Sequence, residues 1–182
     1  MAEAFSNKLT RAAGIVTTSS SGSIGVTTTI ITGISTVGVA VSDLVDNTNF
    51  IAGTKVTGYG AAASQVVVDQ TSTNTAAVSG SAVVNFLGMT TAYTSAAATK
   101  SILIGGTFAN NTANSVNLTV EIHDASAGIQ AALASKIPVP TGSSFVISDA
   151  GKSVLEATDE VRVFCDTANA IDVNLSILTG VS

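Results

Sequence analysis

Charge is scarce in this sequence. Charged residues make up 10% of the 182 positions, against roughly 25% in an ordinary soluble domain. Thr, Ser, Asn and Gly take their place. A surface of this kind has few long side chains to immobilise on contact, which suits a chain whose surface is covered by neighbours. The seven Lys and Arg residues (Lys8, Arg11, Lys55, Lys100, Lys136, Lys152, Arg162) are scattered, and the net charge is −5. This balance argues against a nucleic-acid binder, which needs a basic patch, and no nucleic-acid partner is expected. Nor does any apolar run approach the roughly 18 residues of a membrane span, and no membrane partner is expected. The opening residues 1–8 lack the basic-then-apolar order of a signal peptide. Aromatics are 4% and Trp is absent, leaving Tyr59, Tyr93 and a few Phe for any sugar-stacking role. Cys165 is the only cysteine. It therefore forms no intrachain disulfide, and beside Phe164 it reads as a small buried hydrophobe.

The same scarcity removes most chemistry. The single histidine, His123, lies between Glu121 and Asp124. Any Ser-His-Asp triad or His-containing zinc site would have to use it, yet it sits where an alternating segment runs out into a loop. Glu156, Asp159 and Glu160 lack the dense Asp/Asn spacing of a calcium loop. Residues 140–144 lack the Lys of a phosphate loop and read as a turn. The sequence predicts no catalytic, cofactor-binding or metal-binding residue, and no enzyme.

What the sequence has is alternation. Val116, Leu118, Val120 and Ile122 are separated by Asn117, Thr119 and Glu121. Ile171, Val173, Leu175 and Ile177 are separated by Asp172, Asn174 and Ser176. This is the signature of strands with one buried and one wet face. Residues 101–104, 144–147, 154–155 and 161–164 add shorter strands. Turn clusters at 110–114, 138–142, 149–152 and 166–169 separate them. The spacing predicts an antiparallel sandwich or barrel, with both alternating sets in one core with Phe145, Ile147, Val161 and Val163.

Several segments of this half, taken in order, carry a resemblance. They are Ser-Ile-Leu-Ile-Gly at 101–105, Ala-Asn at 109–110, an alternating strand ending Ile-His-Asp at 122–124, Ile-Pro-Val-Pro-Thr-Gly-Ser-Ser at 137–144, Leu-Glu-Ala-Thr-Asp at 155–159, and the final alternating strand. Together they resemble a β-domain common in virion structural proteins of tailed bacteriophages, those of marine cyanophages among them. A weaker likeness to phage structural and fibre proteins runs from Phe50 to Asp69. The resemblance implies a jelly-roll-like fold and a place in a particle assembled in the host cytoplasm. It does not specify which part of the particle.

In the N-terminal half, residues 1–23 read as an arm and linker. Ala4, Phe5, Leu9 and Ala13 could line a short helix, and residues 17–23 are polar and low in complexity. Phe5, Leu9 and Ile15 are the candidate interface residues, expected to order on a neighbouring subunit. Strand signals follow from Ile24, including alternating Val37, Val39 and Val41 and the β-branched runs at 26–31 and 66–68. Residues 88–99 read as an interdomain connection. Residues 126–134 read as strand or irregular structure, with one helical turn as the alternative.

The sequence thus predicts an all-β chain of two small antiparallel β-sandwich or barrel domains, at 24–95 and 96–182, with an extended N-terminal arm. The function it predicts is structural: an external decoration or cement protein of a phage capsid, or a neck, tail or fibre component. From another class, a carbohydrate-binding adhesin is the alternative. The expected partners are further copies of itself, as a homo-trimer, and other virion proteins such as the major capsid protein.

Overall fold

The abundance of β-branched residues and short turns yields fifteen strands and no helix among the described residues. The structure is a computed structural model that describes residues 3–148 and 152–181. Most of the expected turn at 149–152 lies outside the described residues. The fold is all-β, built from antiparallel sheets with no closed barrel. The chain divides into two compact units: Met1–Gly14 with Thr90–Ser182, and Ile15–Met89.

The first unit is a sandwich. One sheet is five-stranded, in the order β1 (Ala4–Ala13), β15 (Ile171–Val181), β9 (Lys100–Asn110), β12 (Ser144–Ile147), with β13 (Ser153–Leu155) also paired to β9. The other is four-stranded, in the order β11 (Ile129–Val139), β10 (Val116–Asp124), β14 (Glu160–Cys165), β8 (Thr90–Thr94). Val116, Leu118 and Val120 from β10 and Val161 and Val163 from β14 form one core with Leu103 and Phe108 of β9 and with Ile171, Val173, Leu175 and Ile177 of β15. Ile147 belongs to this core, while Ile122 and Phe145 pack at its margin. A one-residue slip of β10 or β15 would turn each apolar set outward, so burial fixes register. Gly105 and Gly106 permit close strand approach within the larger sheet. A Cβ at Gly105 would sit 2.8 Å from the Ile147 carbonyl oxygen, and one at Gly106 2.7 Å from Leu175 Cδ2.

One face departs from expectation. β15 keeps Asn174 exposed, as its alternation predicts, but on β10 only Asn117 is exposed; Thr119 and Glu121 are buried. β10 is an interior strand between β11 and β14, and Phe164, the register partner of Thr119, is fully buried on the same face. Where the β10–β11 pairing is irregular, the Lys136 N–H donates to Thr119 Oγ1 at 3.0 Å. The hydroxyl thereby fills a gap in the ladder.

The second unit is a six-stranded sheet in the order β4 (Leu44–Asp46), β7 (Val78–Gly88), β2 (Ile15–Ile24), β3 (Ile30–Thr32), β6 (Gln65–Val68), β5 (Val56–Tyr59). Ile24, Ile31, Val66, Val84 and Phe86 are central to its core. The sheet curls so that Val45 N–H donates to the Thr54 carbonyl at 2.8 Å and Val56 N–H to that of Asp43 at 2.9 Å.

Several sequence expectations are corrected here. The described part of the expected N-terminal arm and linker, residues 3–23, is not a free arm: residues 4–13 are a strand of the first unit, and 15–24 a strand of the second. The hydroxyl-rich stretch 17–23 is held as a strand by pairing with β7, joined by β3 only from Ser23, and Ser19 Oγ accepts from the Ser35 N–H at 3.2 Å. Val37, Val39 and Val41 do not form a strand. Turn chemistry outweighs their alternation: Gly38 and Ser42 have φ of 80° and 77°, and the Asp43 carboxylate accepts from the Ala40 N–H at 2.8 Å. Within the expected connection at 88–99, Thr90–Thr94 is a strand of the first unit, and the division falls at Met89/Thr90. The 126–134 segment, by contrast, is as expected: it begins as a turn closed by Gly128 N–H to the Asp124 carbonyl, 2.9 Å, and continues as strand β11.

Candidate interaction surfaces

β1 is an edge strand. Its one strand partner among the described residues is β15, with Phe5 opposite Leu178 and Leu9 opposite Asn174. Its even-numbered residues turn toward the sandwich interior, where Thr10 Oγ1 donates to the Ala92 carbonyl of β8 at 3.4 Å. Before the irregularity between Thr10 and Ala13, the odd-numbered residues face outward, leaving Phe5 63% and Leu9 73% exposed. The strand therefore places both predicted interface residues on one outer face. Ile15, though also exposed, lies on β2 of the other unit.

Register carries the apolar character across the sheet. Phe5 pairs with Leu178, Leu178 with Ile102, and Ile102 with Val154. This row crosses four strands on the outer face. Leu178 and Ile102 are half-buried, and Val154 is 57% exposed. At the start of β9 and just after β13 it is flanked by the exposed Lys100–Glu156 ion pair, 3.1 Å. Toward the other end of the strands the face turns small and polar. A shallow depression of about 240 Å³ lies among Phe5, Gly105, Val146 and Ser176. A second, of about 330 Å³, lies among Leu9, Arg11, Thr107, Asp172 and Asn174.

The ionisable groups weighed for chemistry are occupied with structure. Asp124 accepts from the Ala127 N–H at 2.9 Å and from Ser126 N–H and Oγ at 2.9 and 2.8 Å. These bonds hold its carboxyl below the usual range. Asp159, buried, accepts from the Ala125 and Glu156 N–H groups at 3.0 and 2.9 Å. Glu160 pairs with Arg162 at 2.7 Å. His123 pairs in register with Glu160 and Gln130, and its Nδ1 is buried without a hydrogen-bond partner among the described residues. No group of three or more His, Cys, Asp or Glu could hold a metal among the described residues. Cys165 is buried, and burial pushes its thiol up to about 11. The 140–144 segment is a turn, with Ser143 N–H and Oγ donating to the Pro140 carbonyl at 3.2 and 2.8 Å.

The apolar row escaped the sequence reading because its members come from four separate strands. Leu178 and Val154 each have a local cue, an apolar residue at an outward position, but only register joins them. No family model, no curated protein and no solved structure matches this chain.

Proposed function

We propose that this chain is a structural subunit of a tailed-phage virion, an external decoration or cement protein that binds further copies of itself and the major capsid protein. The observation that carries the reading is the Phe5–Leu178–Ile102–Val154 row. Large contiguous apolar patches rimmed by polar residues are a character of protein contacts, and this row with its polar surroundings supports such a contact. The charge-poor composition and the C-terminal resemblance support the same reading. Binding would come from burial of this apolar area, roughly 25 cal/mol per Å². Strand-edge pairing would add backbone hydrogen bonds.

The test is quantitative mass spectrometry of purified particles from the phage that encodes the chain. A decoration protein is expected at a copy number on the order of hundreds. About six or twelve copies would move it to the neck or tail, and absence from the particle would overturn the reading.

A further inference from the structure

We propose that two copies of this chain pair through the outer edge of β1, antiparallel, about a two-fold axis through Asn7. The proposal deepens the self-association part of the preceding reading and rests on it for context only. It favours a two-fold over the trimer expected from surface composition.

β1 is a ten-residue strand with β15 on one side and no strand on the other among the described residues. Free edges of this length template pairing with another chain unless something blocks them. A two-fold axis perpendicular to the sheet sets residue i against residue j of the other copy, with both on the same face, so i and j have the same parity. With the axis at Asn7, Phe5 stands opposite Leu9 of the second copy, and Leu9 opposite its Phe5. Glu3 stands opposite Arg11, and Arg11 opposite Glu3. The two large exposed apolar side chains of the strand thus meet each other, and the acidic residue before it meets the basic residue near its end. Glu3 and Arg11 are both exposed, and neither has an ion-pair partner among the described residues. On the inner face Lys8 falls opposite Ser6, so no like charges are directly opposed.

Neighbouring registers lose this match. Moving the axis to Ser6 sets Phe5 against Asn7, and moving it to Lys8 sets Phe5 against Arg11. Cross-strand pairs are the unit of sheet stabilisation, and only the Asn7 axis satisfies the apolar and the charged pair together. The same axis makes the two outer faces continuous. The apolar row of one copy then runs through Phe5 onto Leu9 of the other, giving the particle one two-fold docking face.

The experiment uses the full chain in sedimentation equilibrium. The native chain is expected to be a dimer. Glu3→Arg and Arg11→Glu should each raise the dimer Kd by at least about tenfold, since each turns two symmetry-related attractive pairs repulsive. The double variant Glu3→Arg/Arg11→Glu should return the Kd to near its native value. Both positions are exposed, so circular dichroism should show an unchanged fold. Independently, Asn7→Cys should give a disulfide-linked dimer under a mild oxidant while Leu9→Cys alone should not, the native Cys165 being buried. A monomer or trimer, swapped charges that fail to rescue, or no cross-link at position 7 would overturn the pairing. Particle stoichiometry decides the virion reading separately: a dimer with charge-swap rescue that is absent from particles would retain the pairing and discard that reading.

Discussion

Leu118 and Asn117 are adjacent on β10, and burial separates their fates. Leu118 is fully buried within the sandwich core, so Leu118→Ala should cost about 2–5 kcal/mol, the transfer term plus a cavity. Asn117 is exposed, its Nδ2 donating to the Asp166 carboxylate at 2.7 Å, and Asn117→Ser should cost under about 1 kcal/mol. Denaturant titration of the two variants measures the contrast. Asp124 supplies a residue-scale pH prediction. Its carboxyl is lowered by N–H and hydroxyl donors that the unfolded chain lacks. The stabilisation is therefore present above the ordinary carboxylate value and lost as pH falls through the lowered folded one. An NMR titration should put the Asp124 midpoint below 3.8, with the Ser126 and Ala127 amide shifts following it. A midpoint at or above that value would mean the turn is not held by this carboxylate. Asp43 has the opposite sign. Burial raises its pKa, so its charge opposes folding above the ordinary range, and protonation relieves that cost as pH falls.

At the scale of the element, β1 shows how a strand can be structural and sticky at once. Its inner side belongs to the sandwich: Ala13 is buried, its carbonyl accepts from the Ala170 N–H at 2.9 Å, and that of Gly14 accepts from Asn169 at 2.9 Å. Its outer side chains are mostly exposed and contribute little within the chain: Phe5 and Leu9 stay 63% and 73% exposed, and Asn7 Oδ1 accepts from Ser176 Oγ at 3.4 Å near the surface. Removing residues 1–13 should therefore destabilise the first unit by at least about 2 kcal/mol, the consequence of stripping a paired strand and a buried residue. Phe5→Ser or Leu9→Ser should leave monomer stability within about 0.5 kcal/mol. Thermal unfolding at low protein concentration separates these outcomes. A truncated chain as stable as the whole would return β1 to the status of a dispensable arm.

At the scale of the whole molecule, the second unit is an insertion. The chain leaves the first unit after Gly14 and re-enters it at Thr90. The two points are neighbours, with Gly14 N–H donating to Thr90 Oγ1 at 3.3 Å. Within the second unit, the first and last strands are also paired, Ile15 opposite Gly88. Insertions succeed where the host's ends lie close. Replacing residues 15–89 with a short Gly/Ser linker should leave the first unit folded as a β-sandwich. Far-ultraviolet circular dichroism and a dispersed NMR spectrum would confirm this, and a collapsed spectrum would contradict it.

Local pattern alone settled much of this protein. The strict alternation at 116–122 and 171–177 and the density of β-branched residues determined that the chain is all-β, and determined which side of β10 and β15 enters the core, because side-chain direction in a strand follows from position parity. Partner choice was left to the tertiary structure. Nothing near Phe5 says that residues 4–13 pair with a strand some 170 positions away rather than fold as a helix, since edge pairing depends on backbone groups that every sequence has. Likewise the alternation around Thr119 and Glu121 reads as a wet face, and only the tertiary structure shows both residues buried. The apolar row from Phe5 to Val154 exists only once four strands are in register, so it belongs to the fold and not to any one segment.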